Sequence, residues 1–180
     1  MNDTYQDRFP VDILRMLDMN DAPERLKNHL VLVHHTAMLV TDRLKHHFPQ
    51  LVLSEDEISF GAATHDIGKI VVRDELYRKG KEHEPAGFGF LLQNGISEDQ
   101  ARFTKTHGNW TDDHLMAEDL IVSLADNIWK GKRINELEEL LAGKISEALH
   151  SDYWMVYLKL DALISQVIIG SDDRLSRQYK

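Results

Sequence analysis

The chain contains no cysteine in 180 residues. That excludes a disulfide framework and any thiolate-based zinc or redox site, so a bound metal has to rest on His, Asp and Glu. Proline is scarce, at four residues, and there is no internal repeat, low-complexity tract or linker. Nowhere do about eighteen apolar residues stand together, so no segment reads as membrane-spanning. The opening MNDTYQDRFPVDIL lacks the basic and apolar regions of a signal peptide, and a cytoplasmic location is the default expectation. Positive charge is also short: 21 Lys and Arg face 30 Asp and Glu, a net charge of −9. A protein that coats extended nucleic acid needs a basic surface. An acidic protein can still hold a small phosphate-bearing substrate through a metal and a few local cations.

What is present is helical periodicity and histidine. With 42% apolar and 28% charged residues, the chain reads as one globular domain over 1–180. Between Ala22 and Phe48, Leu26, Leu30, Val33, Ala37, Val40 and Leu44 form one stripe and Pro49 stops the helix. SEDE at 54–57 and SEDQ at 97–100 are capping-box patterns, the first opening a helix expected to run through His65 and Asp66. Pro85 suits the first turn of a further helix. Another is expected to start near Asp112 or Asp113 and carry LIVSLADNIWK, followed by C-terminal helices within 134–169, one capped by Ser151 or Asp152. The last residues, 170–180, are polar and read as a frayed tail. Strand-like alternation is absent. The expected fold is an all-α bundle of about seven helices.

The ten histidines matter by position. In ATHDIGKI, residues 63–70, His65 stands beside Asp66 with Lys69 one turn on. Burying an unpaired carboxylate is costly, and a metal offsets that cost. Histidines that could complete such a site are His34 or His35, between which periodicity does not choose, His83 and His107. Asp126 interrupts the apolar stretch VSLADNIW and is the best further carboxylate. His29, His46, His47, His114 and His150 have no ligand context and read as surface residues. Arg133 lies about two turns beyond Asp126, so if the helix continues through Gly131 its guanidinium shares the Asp126 face and can clamp a phosphate. Lys130 is slightly further round. Asn109 and Trp110 follow His107 and can line a pocket, with Trp110 a stacking surface for a base. RKGK at 78–81 reads as a solvated loop beside the site.

HTAMLV from His35, HDIGK from His65 and LADNIWKGKR around Asp126 together resemble the HD-domain metal-dependent phosphohydrolases. HEPAGFGFL from His83 and THGNW around His107 extend the resemblance to the two-metal branch. It covers roughly residues 25–135. The resemblance implies an HD-domain helical bundle in which His35, His65, Asp66 and Asp126 hold a first metal. Asp66 then bridges to a second metal on His83 and His107. Its register selects His35 over His34. Gly108 stands where some cyclic-dinucleotide phosphodiesterases of the family carry another histidine. The layout is therefore closer to the bacterial symmetrical dinucleoside tetraphosphate hydrolases and other small HD phosphohydrolases. The implied chemistry is hydrolysis of a soluble phosphorylated metabolite, a nucleotide or dinucleotide, by metal-activated water, with Asp66 and Lys69 in catalytic roles. Lys69, Asn109, Trp110, Lys130 and Arg133 are the expected substrate-binding residues. Two divalent ions are expected, with Fe, Mn, Zn, Ni, Co and Mg all compatible. Two rival functions remain: a mixed-valent di-iron oxygenase on the same fold, and a non-catalytic nucleotide-binding HD module. A homodimer is left open.

Overall fold

The computed structural model describes residues 8–110, 114–171 and 174–175. Among them every regular element is helical: α1 (Val11–Met19), α2 (Glu24–His47), α3 (Glu55–Thr64), α4 (His83–Gln93), α5 (Glu98–Ala101), α6 (Phe103–Thr106), α7 (Ala117–Ile128), α8 (Asn135–Leu149) and α9 (Tyr153–Ile168). Two 3-10 turns, Ile67–Ile70 and Arg73–Leu76, join α3 to α4. Since α5 and α6 are single turns, the long helices match the all-α bundle of about seven. None is long and apolar enough to cross a membrane.

Packing, rather than capping, holds the central helix. Pro23 gives α2 no side-chain cap, whereas Leu26, Leu30, Val33, Ala37, Val40 and Leu44 are fully buried. Each such leucine contributes about 1.5–3 kcal/mol on burial. α2 links two cores. Leu26 and Leu30 pack with α1, Ile67, Ile70 and Leu91. Val33 onward packs with Ile58, Ile121, Leu124, Leu141 and Leu163.

Side chains cap the starts of α3, α5 and α9. Ser54 and Ser97 accept hydrogen bonds from the backbone N–H groups of Glu57 and Gln100, and Asp152 accepts one from Met155 at 2.9 Å. The Ser54 N–H is taken by Glu118 at 2.9 Å, so Glu57 does not close the box. It is freed to bind Arg102.

Two expectations are corrected, and a third lies outside the described residues. α3 stops at Thr64, so His65 and Asp66 lie at the junction with a 3-10 turn and not inside a helix. The expected start near Asp112 or Asp113 lies outside the described residues, and α7 is regular from Ala117. The 170–180 tail is not uniformly frayed: Arg174 is buried and donates to the carbonyls of Trp129 at 2.9 Å and Val167 at 2.7 Å. Its guanidinium neutralises carbonyls that a helix end leaves without partners.

Candidate metal centre

Five helices or their ends bring side chains to one point where the two cores meet. α2 supplies His29, the end of α3 supplies His65 and Asp66, α4 begins with His83, α6 is followed by His107, and α7 carries Asp126. The chain can bring His83 beside Asp66 because Gly68 and Gly87 let two backbones touch: a Cβ on Gly68 would lie 1.9 Å from the His83 carbonyl oxygen.

The two oxygens of Asp66 face different histidines. Oδ2 lies 3.1 Å from His29 Nε2 and 3.8 Å from His65 Nε2. Oδ1 lies 3.0 Å from His83 Nε2 and 3.6 Å from His107 Nε2. On the Oδ2 side His29 Nε2 is 3.2 Å from His65 Nε2 and 3.4 Å from Asp126 Oδ1, and His65 Nε2 is 3.8 Å from the same oxygen. Two groups of potential ligands result, His29–His65–Asp66 and Asp66–His83–His107, with the ligand atoms of each within 4.8 Å of one another. Ligands at about 2.1 Å around one tetrahedral ion stand about 3.4 Å apart, so these separations suit an ion on each side.

The far ring nitrogens are already committed. His65 Nδ1 donates to the Ala62 carbonyl at 3.0 Å, and His107 Nδ1 donates to the Phe103 carbonyl at 3.1 Å. His83 Nδ1 donates to the Glu75 carboxylate at 2.5 Å. Each bond leaves the Nε2 of its ring turned toward Asp66, the usual arrangement for a histidine that ligates metal. His83 Nε2 is buried and makes no aligned hydrogen bond, despite its 3.0 Å distance from Asp66. A buried ring nitrogen without an aligned partner fits a position meant for a cation.

Electrostatics agree. Burial pushes His65 down to about 3, so its ring is neutral near pH 7 with a lone pair to offer. Burial alone would raise Asp66, but His65, His29, His83 and Lys69 together hold it well below the usual carboxylate range. Burial likewise opposes ionisation of Asp126, and Lys130, His29 and His65 outweigh it. His83 moves the other way: burial would lower it, and Asp66 and Glu75 raise it. Partners that favour a proton on this ring also favour a metal cation there.

Two cavities open on the cluster. One, of about 310 Å³, is lined by His83, His107, Trp110, Asp126, Lys81 and Lys132 among others; His29, Asp66, Lys69 and Lys130 border it too. Those same four residues border the second, about 280 Å³, whose other walls include Arg25, Leu76 and Trp129. Lys69 reaches Asp66 Oδ2 at 2.5 Å and Lys130 stands 3.7 Å from Asp126 Oδ1. Basic side chains thus surround a carboxylate-rich floor inside an acidic protein.

Of the residues anticipated from sequence, His65, Asp66, Lys69, His83, His107, Trp110, Asp126 and Lys130 meet here. Trp110 forms a wall with its indole N–H donating to the His107 carbonyl at 3.3 Å. Asn109 is exposed and lines neither cavity. The remaining differences are corrections. His29, read as a surface residue, occupies the position assigned to His35. Six residues along a helix turn the side chain by about 120° and carry it about 9 Å along the axis, so one ion cannot be reached from both. His35 is half-buried and in neither ligand group. The neighbouring His34 is buried, packs on Phe9 and bonds Ser59 Oγ at 2.8 Å. His29 stands three residues after Leu26 and four before Val33, flanking the buried stripe.

Arg133 is also displaced. α7 does not continue through Gly131. It closes in a Schellman turn, with Gly131 at φ +80°, its N–H bonded to Ile128 O at 3.0 Å and Lys132 N–H to Asn127 O at 3.2 Å. Arg133 leaves that turn toward Glu138, Asp161 and Ser165 on α8 and α9. Glu75, which holds His83, was not anticipated at all, since nothing in RDEL sets it apart from other surface acids.

Fold and site together define an all-α protein built around a histidine–aspartate cluster suited to divalent metal. Residues 26–129 match the HD domain family model, more than half of the chain. The protein belongs to the HD domain family, whose members are in general metal-dependent hydrolases that bind divalent ions. Comparison with curated proteins and with solved structures returned no significant match.

Proposed function

We propose that this protein is a two-metal phosphohydrolase acting on a small phosphorylated metabolite, of the nucleotide or dinucleotide class. The observation that carries the reading is the division of Asp66: one carboxylate turns one oxygen to His29 and His65 and the other to His83 and His107. In this reading His29, His65, Asp66 and Asp126 hold one ion, and Asp66, His83 and His107 hold the other. Metal bound there would supply a water-derived nucleophile at neutral pH and offset phosphoryl charge. The chain's own residues do the rest. Lys69 and Lys130 border both cavities and are placed to bind the substrate phosphate beside the ions, as point charges with several donors. Lys81 and Lys132 draw an anion into the larger cavity, and Trp110 offers its ring as a wall for a base. Arg133 takes no part, being held by Glu138 and Asp161.

The test is a panel of nucleotides, dinucleotides and sugar phosphates presented to protein reconstituted with manganese or iron. Release of phosphate or nucleotide is expected. Oxygen uptake with an organic substrate and no phosphate release would indicate the oxygenase chemistry instead, and ligand binding with neither would indicate a non-catalytic module.

A further inference from the structure

We propose that Glu75 is a positioning residue that builds the second metal position by fixing the ring of His83. The inference rests on the two-ion reading above. Glu75 lies in the 3-10 turn Arg73–Leu76 and is only 5% exposed, where an ionised carboxylate is tolerated only if its oxygens are satisfied. Three donors converge on it. His83 Nδ1–H lies at 2.5 Å and the His83 backbone N–H at 3.1 Å, both to Oε2, and the Glu82 backbone N–H reaches Oε1 at 3.1 Å. The Arg78 guanidinium stands 3.6 Å from Oε1.

All of these partners are donors, so an acceptor-only carboxylate suits the position and a side-chain amide does not. With Nδ1–H tied to Glu75, the neutral ring of His83 presents the lone pair of its other nitrogen toward Asp66 and His107. Glu75 thereby selects both the tautomer and the orientation that a cation needs. Gly80 supplies an independent sign of the same design. A Cβ at that position would lie 1.9 Å from Glu75 Oε1 and 2.4 Å from its Cδ. The loop of residues 78–82 can fold over the carboxylate because Gly80 has no side chain.

Glu75 also satisfies N–H groups at the start of α4, and a residue that did only this would change stability without distinguishing the two ions. Manganese titration of the metal-free protein by calorimetry separates the roles. Wild type is expected to bind two ions. Glu75→Gln should weaken the second step about ten- to hundredfold, the range for loss of a partner behind a metal ligand. The first step, on His29, His65 and Asp126, should stay within about twofold. Gly80→Ala keeps the carboxylate but displaces it, and should weaken the same step; because it removes no hydrogen-bonding group from the chain, it serves if Glu75→Gln fails to fold. Two steps in wild type with the second unchanged in a folded variant, or with both steps weakened alike, would overturn the proposal while leaving the two-ion reading intact. A single ion in wild type would overturn both.

Discussion

Gly68, in the HDIGK stretch, should be intolerant of even one added methyl group, and the structure says by how much. A Cβ there would meet His83 O at 1.9 Å, Gly87 N at 2.5 Å and Gly87 Cα at 2.9 Å. Carbon ordinarily approaches a carbonyl oxygen to about 3.3 Å, so the first contact falls short by about 1.4 Å. All three atoms are backbone, and no side chain can swing aside. The 3-10 turn and α4 must therefore separate. Overpacking costs about 1–3 kcal/mol and occasionally more, and backbone contact on every side places Gly68→Ala at about 3 kcal/mol. In a domain of this size 1 kcal/mol moves the midpoint by about 2–4 °C, so a Tm lower by about 6–12 °C is expected. Gly89, in the same helix α4, has nothing within 4 Å of an added Cβ. Gly89→Ala should instead gain about 0.5–1 kcal/mol from helix propensity. Thermal unfolding of the metal-free proteins by circular dichroism measures both. A Gly68→Ala protein melting within 2 °C of wild type (about 0.5–1 kcal/mol) would refute the close approach on which the join between Asp66 and His83 depends.

Three further outcomes are expected. His29→Ala should remove the first ion while His35→Ala keeps it, as elemental analysis after reconstitution would show; loss in the His35 variant alone would restore the original register. Lys69→Ala should leave metal content unchanged and lower kcat/KM about tenfold, about 1.4 kcal/mol of transition-state stabilisation, and unaltered kinetics would return Lys69 to a surface role. His34 is pushed down to about 4 by burial, with His35 and Arg8 adding to the effect, against an unfolded value of about 6.5. The unfolded chain takes the proton first, so stability is full above pH 6.5 and falls as pH drops toward 4, by about 2 kcal/mol at pH 5. Urea unfolding at pH 7.5 and 5 should show a loss of stability that is smaller by about 2 kcal/mol in His34→Gln than in wild type; equal losses in the two proteins would contradict it.

Much of the architecture was legible because helices announce themselves by period. The α2 stripe, the two serine caps and the Asp152 cap follow from side chains within one or two turns of each other. The order of His65–Asp66, His83, His107 and Asp126 was legible for a different reason: such residues in apolar or motif-bearing stretches need a partner. The misplaced features depend on contacts that periodicity does not carry. Choosing His29 over His35 required knowing which flank of α2 meets the ends of α3 and α7, because both histidines adjoin hydrophobic positions. Arg133 would share the Asp126 face only if α7 continued through Gly131, whose positive φ instead ends the helix and turns the chain toward Glu138. Glu75 could not be found locally, since its role exists only once the loop of residues 78–82 folds back over it.

The most direct test of the central claim is hydrolysis of the phosphate panel by metal-loaded wild type and Asp66→Ala side by side. Asp66 offers one oxygen to each histidine pair, so its loss should abolish phosphate release while helical content stays close to wild type, because the hydrophobic cores do not depend on it. Phosphate release that survives in Asp66→Ala would contradict the claim.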